Sequence, residues 1–139
     1  MHQMSFQFGT RTASALFQRR QDRGRRAYLS GRDAEAGVIR VYAAQGVLLL
    51  KTRWRGQSGE IDLILRAADT FVFCEVKKAA TFDLAMQRLS TRQMQRVCSA
   101  ASEYLGFTLE GQLAPVRFDL AIVDGAGAVR ILQNAFGHF

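Results

Sequence analysis

Two short apolar segments separated by a four-residue loop constrain the fold of this chain more than any other feature. The segments Glu60–Arg66 and Phe71–Lys78 are rich in Val, Ile, Leu and Phe, and the loop Ala67–Thr70 lies between them. Apolar runs of this length on both sides of a short loop are typical of two antiparallel strands. The loop length predicts a hairpin in which Arg66 pairs with Phe71.

Further periodic segments predict an α/β fold, with one mixed sheet of about five strands and helices packed against it. The segment Phe82–Leu89 fits either a loop or a short helix. Before the hairpin, the sequence predicts a helix that carries Val38, Ile39 and Tyr42 and ends at Gly46, followed by a strand over Val47–Arg55. After it, a helix is predicted from Ser90 or Thr91 to about Leu105, and Ser90 and Gln93 have the spacing of a capping box. Two last strands are predicted over Val116–Val123 and Val129–Phe136.

The chain has the size of one domain, and its positive charge is unevenly distributed. It has 139 residues and a net charge of +7. Residues 1–32 contain seven arginines and one acid, whereas residues 33–139 contain twelve Lys or Arg and eleven acids. We therefore divide the chain into a basic arm over residues 1–30, flexible or helical, and a folded domain over residues 31–139. Such an arm either binds phosphate backbones without reading sequence or is a solvated tail.

The sequence predicts a cytoplasmic protein that does not span a membrane. No stretch approaches the roughly 20 apolar residues that a membrane span needs, and the N-terminal residues lack the apolar segment of a secretory signal. Cys74 and Cys98 have no CxxC or Cys/His spacing around them, so neither a disulfide framework nor a zinc site is expected. An alternative is an anchor to anionic membranes through residues 11–28. It is weaker because Leu16 and Phe17 are the only bulky apolar pair of this segment before Tyr28.

The predicted hairpin brings charged side chains together on one face of the sheet. Its register places Asp62 opposite Glu75, and residues directly opposite on one face have Cβ atoms about 4.5–5.5 Å apart. Lys77 lies two residues beyond Glu75 and therefore on the same face. The opposite face is expected to be core, and it carries Ile61, Leu63 and Leu65 against Val72, Cys74 and Val76.

Two carboxylates at this distance require a compensating positive charge. The repulsion between unit charges 4 Å apart is about 4 kcal/mol at an effective dielectric constant of 20. Lys77 offsets part of it, and Mg²⁺ or Mn²⁺, which prefer oxygen ligands, would offset it more completely. Glu35 lies on the core-facing side of the first helix, and a third carboxylate from there would strengthen the case for a metal. The alternative is that Asp62 and Glu75 are surface residues with Lys77 as a salt-bridge partner.

The same residues carry a resemblance to a known family. The segments Gly59–Ile64 and Val72–Lys77, together with Arg117–Asp119 and Gln133–Phe136, resemble the YraN family of bacterial proteins. The resemblance covers residues 31–136. The pattern of that family in turn resembles the PD-(D/E)xK, restriction-endonuclease-like superfamily, notably the archaeal Holliday-junction resolvases. The resemblance implies a restriction-endonuclease-like, three-layer core around the central sheet.

The resemblance also implies a role for each charged residue of the hairpin. Asp62 and Glu75 would ligate the metal, and the carbonyl of Val76 would be a further ligand. Lys77 would orient or activate the attacking water, and Glu35 would contact the metal directly or through water. Together these roles amount to phosphodiester hydrolysis assisted by Mg²⁺ or Mn²⁺, which polarises a phosphoryl oxygen and lowers the pKa of its bound water.

Other basic residues are candidate contacts for nucleic acid. We assign such contacts to Arg53, Arg55, Lys78 and Arg92. Trp54 fits a core or rim aromatic better than a platform for base stacking. Arg88, Arg92 and Arg96 recur every four residues and form either a basic helix stripe or a solvated face.

The chain departs from the usual pattern of the family in residues around the site. Ala34 and Ala36 flank Glu35 where the family usually has a glycine and a second acid. Lys78 replaces a common threonine, and Gln93 replaces a common lysine. These changes leave the expected metal ligands intact and bring substrate contacts, rather than metal binding, into question.

Two hypotheses about function belong to different classes of protein. The first is a metal-dependent nuclease-like protein that hydrolyses phosphodiester bonds in DNA and selects structure over sequence. The second is a non-catalytic module that uses the same fold to bind nucleic acid or a protein partner. The intact acids favour the enzyme, and the nearly neutral charge of residues 33–139 favours the module. Because the related resolvases are dimers, the resemblance also suggests a homodimer, although no sequence pattern locates an interface.

Overall fold

The fold is built on one five-stranded sheet with helices on both of its faces. The computed structural model of the protein describes residues 31–108 and 113–136. Within them the elements are α1 (31–44), β1 (Leu48–Arg55), β2 (Glu60–Ala67), β3 (Thr70–Lys78), α2 (Phe82–Arg88), α3 (Thr91–Leu105), β4 (Val116–Val123) and β5 (Val129–Phe136). No helix in this described part is long and apolar enough to cross a bilayer. The predicted basic arm over residues 1–30 lies outside the described residues.

The strands lie in the sheet in chain order, β1-β2-β3-β4-β5. All neighbouring strands are antiparallel except β3 and β4, which are parallel. A parallel pair needs a long crossover connection, and the segment that contains α2 and α3 supplies it. This mixed sheet with flanking helices confirms the α/β architecture expected from the sequence.

The register predicted for the β2–β3 hairpin is confirmed, because Arg66 pairs with Phe71. The turn is shorter than the sequence suggested, since Ala67 and Thr70 also pair. Ala68 has a φ of 54°, a positive value of the kind that two-residue hairpin turns require. Because the extra pair extends the hairpin symmetrically, the shorter turn leaves the pairing further along the strands unchanged.

The sheet separates two hydrophobic cores. The core on the α1 side contains Val38, Tyr42, Leu63, Leu65, Val72 and Cys74, and the core on the α2–α3 side contains Ile61, Ile64, Phe73, Ala85, Val97 and Leu120. Ile61 was expected on the same face as Leu63, but it packs on the opposite side. Trp54 is partly buried against the core on the α2–α3 side, with its ring edge-on to Tyr104 at a centroid distance of 5.4 Å, in agreement with the expected core or rim position. Burial of both faces explains why the central strands β2, β3 and β4 are largely apolar.

Two separate helices follow the hairpin, and their boundary interrupts the predicted arginine stripe. The first helix, α2, ends at Arg88. Ser90 is the N-cap of α3, and its hydroxyl accepts the backbone N–H of Gln93 at 3.1 Å. Only Arg92 and Arg96 lie on α3, so the three arginines do not form a stripe along one helix. All three are exposed, in agreement with the alternative of a solvated face.

A buried carboxylate joins α1 to the sheet. Asp119 on β4 is fully buried, and it accepts hydrogen bonds from the Tyr42 hydroxyl at 2.7 Å and from the Asn134 backbone N–H at 2.9 Å. Two nitrogens of Arg117 donate to it at 2.9 and 3.0 Å. A buried charge is costly unless it is paired and hydrogen-bonded, and these four bonds meet that requirement. Burial raises the pKa of Tyr42, so that its hydroxyl remains a donor.

Removal of the Tyr42 hydroxyl should destabilise the fold. Tyr42→Phe deprives Asp119 of one donor, and a hydrogen bond to a charged group contributes about 1.5–3 kcal/mol. We expect a loss of about this size in the free energy of unfolding, measured by urea denaturation. Tyr104→Phe is the matched control, because the contacts of Tyr104 in the described part of the chain are made by its ring. Equal losses in the two variants would contradict this role of the Tyr42 hydroxyl.

Candidate functional site

The open end of the β2–β3 hairpin holds Asp62 beside Glu75. The paired residues of the two strands end at Leu63 and Cys74. Beyond them, the Oδ2 atom of Asp62 accepts the backbone N–H of Val76 at 2.8 Å. This bond holds the Asp62 carboxylate at the end of β3, where Asp62 and Glu75 line the same cleft. The two acids that the sequence placed on adjacent strands are therefore neighbours in space.

Glu75 is the buried acid of this pair, with 6% of its surface exposed. Its Oε2 atom accepts a hydrogen bond from the Gln93 side chain at 2.5 Å and lies 3.6 Å from the Lys77 ammonium nitrogen. Burial, and then the nearby charge of Asp62, raise the pKa of Glu75 to about 8, although Lys77 and Gln93 oppose the rise. The ionised form of Glu75 is thus unfavourable until further positive charge arrives.

An open cleft of about 360 Å³ leads from solvent to these groups, and we call it the acidic cleft. Its lining residues are Gly59, Glu60, Asp62, Glu75, Val76, Lys77, Gln93, Arg96 and Val97. They come from the β1–β2 turn, from the end of the hairpin and from the first half of α3. The structure therefore brings together four of the predicted site residues, Asp62, Glu75, Val76 and Lys77.

The β1–β2 turn forms one wall of the acidic cleft and is fixed by Glu103 of α3. The Glu103 carboxylate accepts the backbone N–H groups of Gln57 at 3.0 Å and of Ser58 at 2.9 Å. These bonds lower the pKa of Glu103. A Cβ atom at Gly56 would lie 2.5 Å from a Glu103 carboxylate oxygen, so a side chain there would displace Glu103. Gly56 thus allows a close approach of this turn to α3.

Glu35 does not line the acidic cleft and pairs with Arg53 instead. The Arg53 Nε atom lies 3.2 and 3.4 Å from the two oxygens of the Glu35 carboxylate. Arg53 has a φ of 50°, which is unusual for a non-glycine residue, and the strand register places it opposite Asp62. Glu35 is therefore linked through Arg53 to β1, the strand next to the one that carries Asp62, and is not in direct contact with the acids of the cleft.

The other predicted nucleic-acid contacts lie on the elements that surround the acidic cleft. The Arg55 side chain is 77% exposed and pairs with Glu60 at 3.1 Å. Lys78 is exposed at the end of β3, and Arg92 is exposed in the first turn of α3. None of these three cations lines the cleft.

Gln93 and Arg96 belong to the cleft, although the sequence analysis did not assign them to the site. The capping-box spacing predicted that the Gln93 side chain would turn back to Ser90. Only half of that motif forms, because the Gln93 side chain donates to Glu75 instead. The sequence feature that could have assigned Gln93 to the site is its position, at which the family commonly has a lysine. Arg96 follows three residues later and so lies on the same face of α3.

The donor atoms of the acidic cleft fit a hard divalent cation. Within residues 31–108 and 113–136, no three His, Cys, Asp or Glu side chains are arranged to bind one metal ion. Asp62 and Glu75 supply two carboxylates. Mg²⁺ is commonly bound by one or two carboxylates, several waters and substrate phosphates, so two acids in an open cleft suffice for it. An all-oxygen set does not suit a structural zinc site.

The raised pKa of Glu75 predicts that the free energy of unfolding depends on pH in the absence of metal. Below pH 4.5 its carboxyl is protonated in both states, whereas between pH 4.5 and about 8 only the unfolded state loses the proton. Stability is therefore lost over this range as pH rises. Glu75→Gln removes the titrating group. In EDTA, we expect the free energy of unfolding of Glu75→Gln to increase relative to that of the wild type over this range. A difference that does not change with pH would show that Glu75 ionises normally.

Comparison with known proteins identifies the family of the chain. The model of the family described as Uncharacterised protein family UPF0102 matches residues 34–123. A UPF0102 protein of Ruegeria pomeroyi is 50% identical over 116 residues, which cover 84% of this chain and 94% of that protein. A UPF0102 protein of Dinoroseobacter shibae is 45% identical over 131 residues, or 94% of this chain and 98% of that protein. The chain therefore belongs to the UPF0102 family, the YraN family that the hairpin motifs indicated.

Proposed function

We propose that the protein is a metal-dependent, nuclease-like hydrolase that cleaves phosphodiester bonds in nucleic acid, specifically in DNA in the cytoplasm. The observation that carries the proposal is the buried carboxyl group of Glu75 beside Asp62 in an open cleft. Two acids in this arrangement repel one another, and their charged forms are stabilised by a cation. Strongly perturbed acids in a cleft are typical of functional sites.

Asp62 and Glu75 would hold a Mg²⁺ or Mn²⁺ ion, with the Val76 carbonyl as a further ligand. When bound, such an ion polarises a phosphoryl oxygen and lowers the pKa of a coordinated water. Lys77 has three N–H donors and lies 3.6 Å from Glu75, so it orients the attacking water and offsets negative charge that develops on the phosphate. Gln93 donates to Glu75 and fixes the position of its carboxyl group.

The surroundings of the acidic cleft favour contacts with the phosphate backbone. Arg96 lines the cleft, and the exposed cations Lys78 and Arg92 lie on β3 and α3, which form its walls. Cations that contact phosphates position a nucleic acid without reading its sequence. A preference for DNA structure over sequence follows from this arrangement and from the resemblance to resolvases.

The proposed role of Glu35 depends on its ion pair with Arg53. Glu35 pairs with Arg53 and does not line the acidic cleft, so a direct contact between Glu35 and the metal would require the Glu35 side chain to move. If it keeps that pair, Glu35 would instead act as a positioning residue through Arg53, on the strand next to the one that carries Asp62. Glu35→Gln distinguishes these roles, because loss of a ligand weakens metal binding more than loss of a positioning contact.

A second function, the non-catalytic module, is favoured by a different observation. Gln93 donates to the Glu75 carboxyl group and Lys77 lies 3.6 Å from it, so part of the balance that a metal ion would supply is already present. A protein with this balance can retain the fold and bind nucleic acid or a partner without turnover. The two functions differ in whether the bound metal supports cleavage.

Metal binding should depend on the two cleft acids. We expect calorimetric titration with Mn²⁺ to show one site on the wild type, and Asp62→Asn and Glu75→Gln to weaken its affinity by at least about tenfold, since each removes a charged oxygen ligand. Asp69→Asn is the matched control, because Asp69 is an exposed acid at the turn of the same hairpin, remote from the cleft. Equal affinities in all four proteins would contradict the assignment of the ligands.

Cleavage should depend on the same acids and on Lys77. Branched, flapped and single-stranded DNA would be incubated with the protein in Mg²⁺ or Mn²⁺. We expect Asp62→Asn and Glu75→Gln to abolish cleavage, and Lys77→Met to slow it by about 10²–10⁴-fold while Mn²⁺ binding is retained. Asp69→Asn should cleave at the rate of the wild type. Metal binding without cleavage of any of these substrates would rule out the nuclease in favour of the module.

A further inference from the structure

A second cleft, of about 280 Å³, opens beside the acidic cleft. Its lining includes Thr81, Phe82, Ile122, Asp124, Val129 and Arg130, and we call it the aromatic cleft. These residues come from the start of α2, the end of β4, the β4–β5 turn and the start of β5. No role in the proposed hydrolysis has been given to any of them.

The two clefts are one strand apart. Lys77 lines the acidic cleft, Ile122 lines the aromatic cleft, and the two residues are partners across the parallel strands β3 and β4. Neighbouring strands lie about 4.7–4.9 Å apart. Ile122 belongs to the core on the α2–α3 side, and α3 forms a wall of the acidic cleft, so Lys77 and Ile122 lie on the same face of the sheet. Because lining residues of the two clefts are neighbours in the sheet, one nucleic-acid strand can extend from the acidic cleft to the aromatic cleft.

The wall of the aromatic cleft presents flat surfaces. The guanidinium carbon of Arg130 lies 4.4 Å from the centroid of the Phe82 ring, in a cation–π stack. Aromatic rings and guanidinium planes are the groups on which proteins stack unpaired nucleobases. Ile122 and Val129 add apolar surface beside this stack. The wall therefore matches a flat, partly apolar ligand.

The charge of the aromatic cleft favours a base over a phosphate. Asp124 lines the cleft, and its Oδ1 atom accepts the backbone N–H groups of Ala126 and Ala128, both at 2.9 Å. These bonds fix the carboxylate in place. A fixed carboxylate accepts hydrogen bonds from the exocyclic amino group of a base, such as that of cytosine, and repels a phosphate. Arg130 alone would suit either ligand, and Asp124 selects the base.

We infer that the aromatic cleft binds one unstacked nucleobase of the strand whose phosphodiester lies in the acidic cleft. This inference rests on the proposed function and narrows its substrate class. A base can enter the cleft only when it is unpaired, so the substrate is single-stranded or locally unpaired at the site of cleavage, as in flaps and junctions. Intact duplex is a poor substrate because a base must first leave the stack.

The test compares affinities for short single-stranded DNA with and without individual bases, in EDTA so that hydrolysis does not interfere. A nine-nucleotide strand is measured beside strands that each lack one base, and beside a strand that lacks all of them. We expect one abasic position to weaken binding to the wild type by about 5- to 150-fold, the effect of losing one stacked base. Abasic nucleotides elsewhere in the strand should have smaller effects.

The variants separate stacking from charge. Arg130→Lys keeps the positive charge but loses the planar group, so it should remove the dependence on that base while affinity for the fully abasic strand is retained. Arg130 is exposed, so the substitution leaves the core intact. Arg66→Lys is the matched control, because Arg66 lies 5.2 Å over the Phe71 ring near the turn of the β2–β3 hairpin. This control should keep the dependence on the base.

Two results would overturn the inference. If the natural and fully abasic strands bind the wild type equally, or if Arg130→Lys keeps the same dependence on the base as Arg66→Lys, the aromatic cleft does not bind a base, and the proposed nuclease activity is unaffected. If none of the strands binds at low salt and none is cleaved when Mg²⁺ or Mn²⁺ is added, the proposed function fails together with the inference.

Discussion

A carboxyl group that is buried beside a second acid must be balanced by a proton, by hydrogen-bond donors or by a cation, and Glu75 imposes this requirement on its surroundings. Burial raises its pKa, Gln93 donates to it and Lys77 lies 3.6 Å away. Asp62 adds a second negative charge beside Glu75, and the backbone N–H of Val76 donates to the Asp62 carboxylate and holds it in place. The end of the hairpin, the first half of α3 and the acidic cleft are all arranged around this balance.

The second buried carboxylate of the described residues shows how the same problem is solved for stability alone. Asp119 receives four hydrogen bonds from three residues and lies within the packed structure between α1, β4 and β5. Glu75 has fewer donors, has an acid as its neighbour and opens into a cleft. A saturated acid fixes the fold, whereas an acid that is only partly balanced can bind a cation. This contrast supports a functional role for Glu75.

The hairpin could be predicted from the sequence because its apolar segments and short loop fix the register locally. The positions of Asp62, Glu75 and Lys77 followed directly from that register. The N-cap at Ser90 and the last two strands were also accessible, since they depend on neighbouring residues. The family motifs then identified the family of the chain.

The contacts that the sequence did not predict join residues that are distant along the chain. Gln93 reaches Glu75 on another element, and Glu103 anchors a turn 45 residues before it. Glu35 pairs with Arg53, which adopts a positive φ within a strand, and no residue pattern specifies such a backbone conformation. Such contacts depend on how α1 and α3 pack on the sheet, and local periodicity contains no information about that packing.

A crystal structure with Mn²⁺, located by its anomalous scattering, tests the central claim most directly. We expect one ion between the carboxylates of Asp62 and Glu75, with Glu75 displaced from its hydrogen bond with Gln93. A structure in saturating Mn²⁺ that shows no ion at these two acids, and Glu75 still bonded to Gln93, would contradict the account.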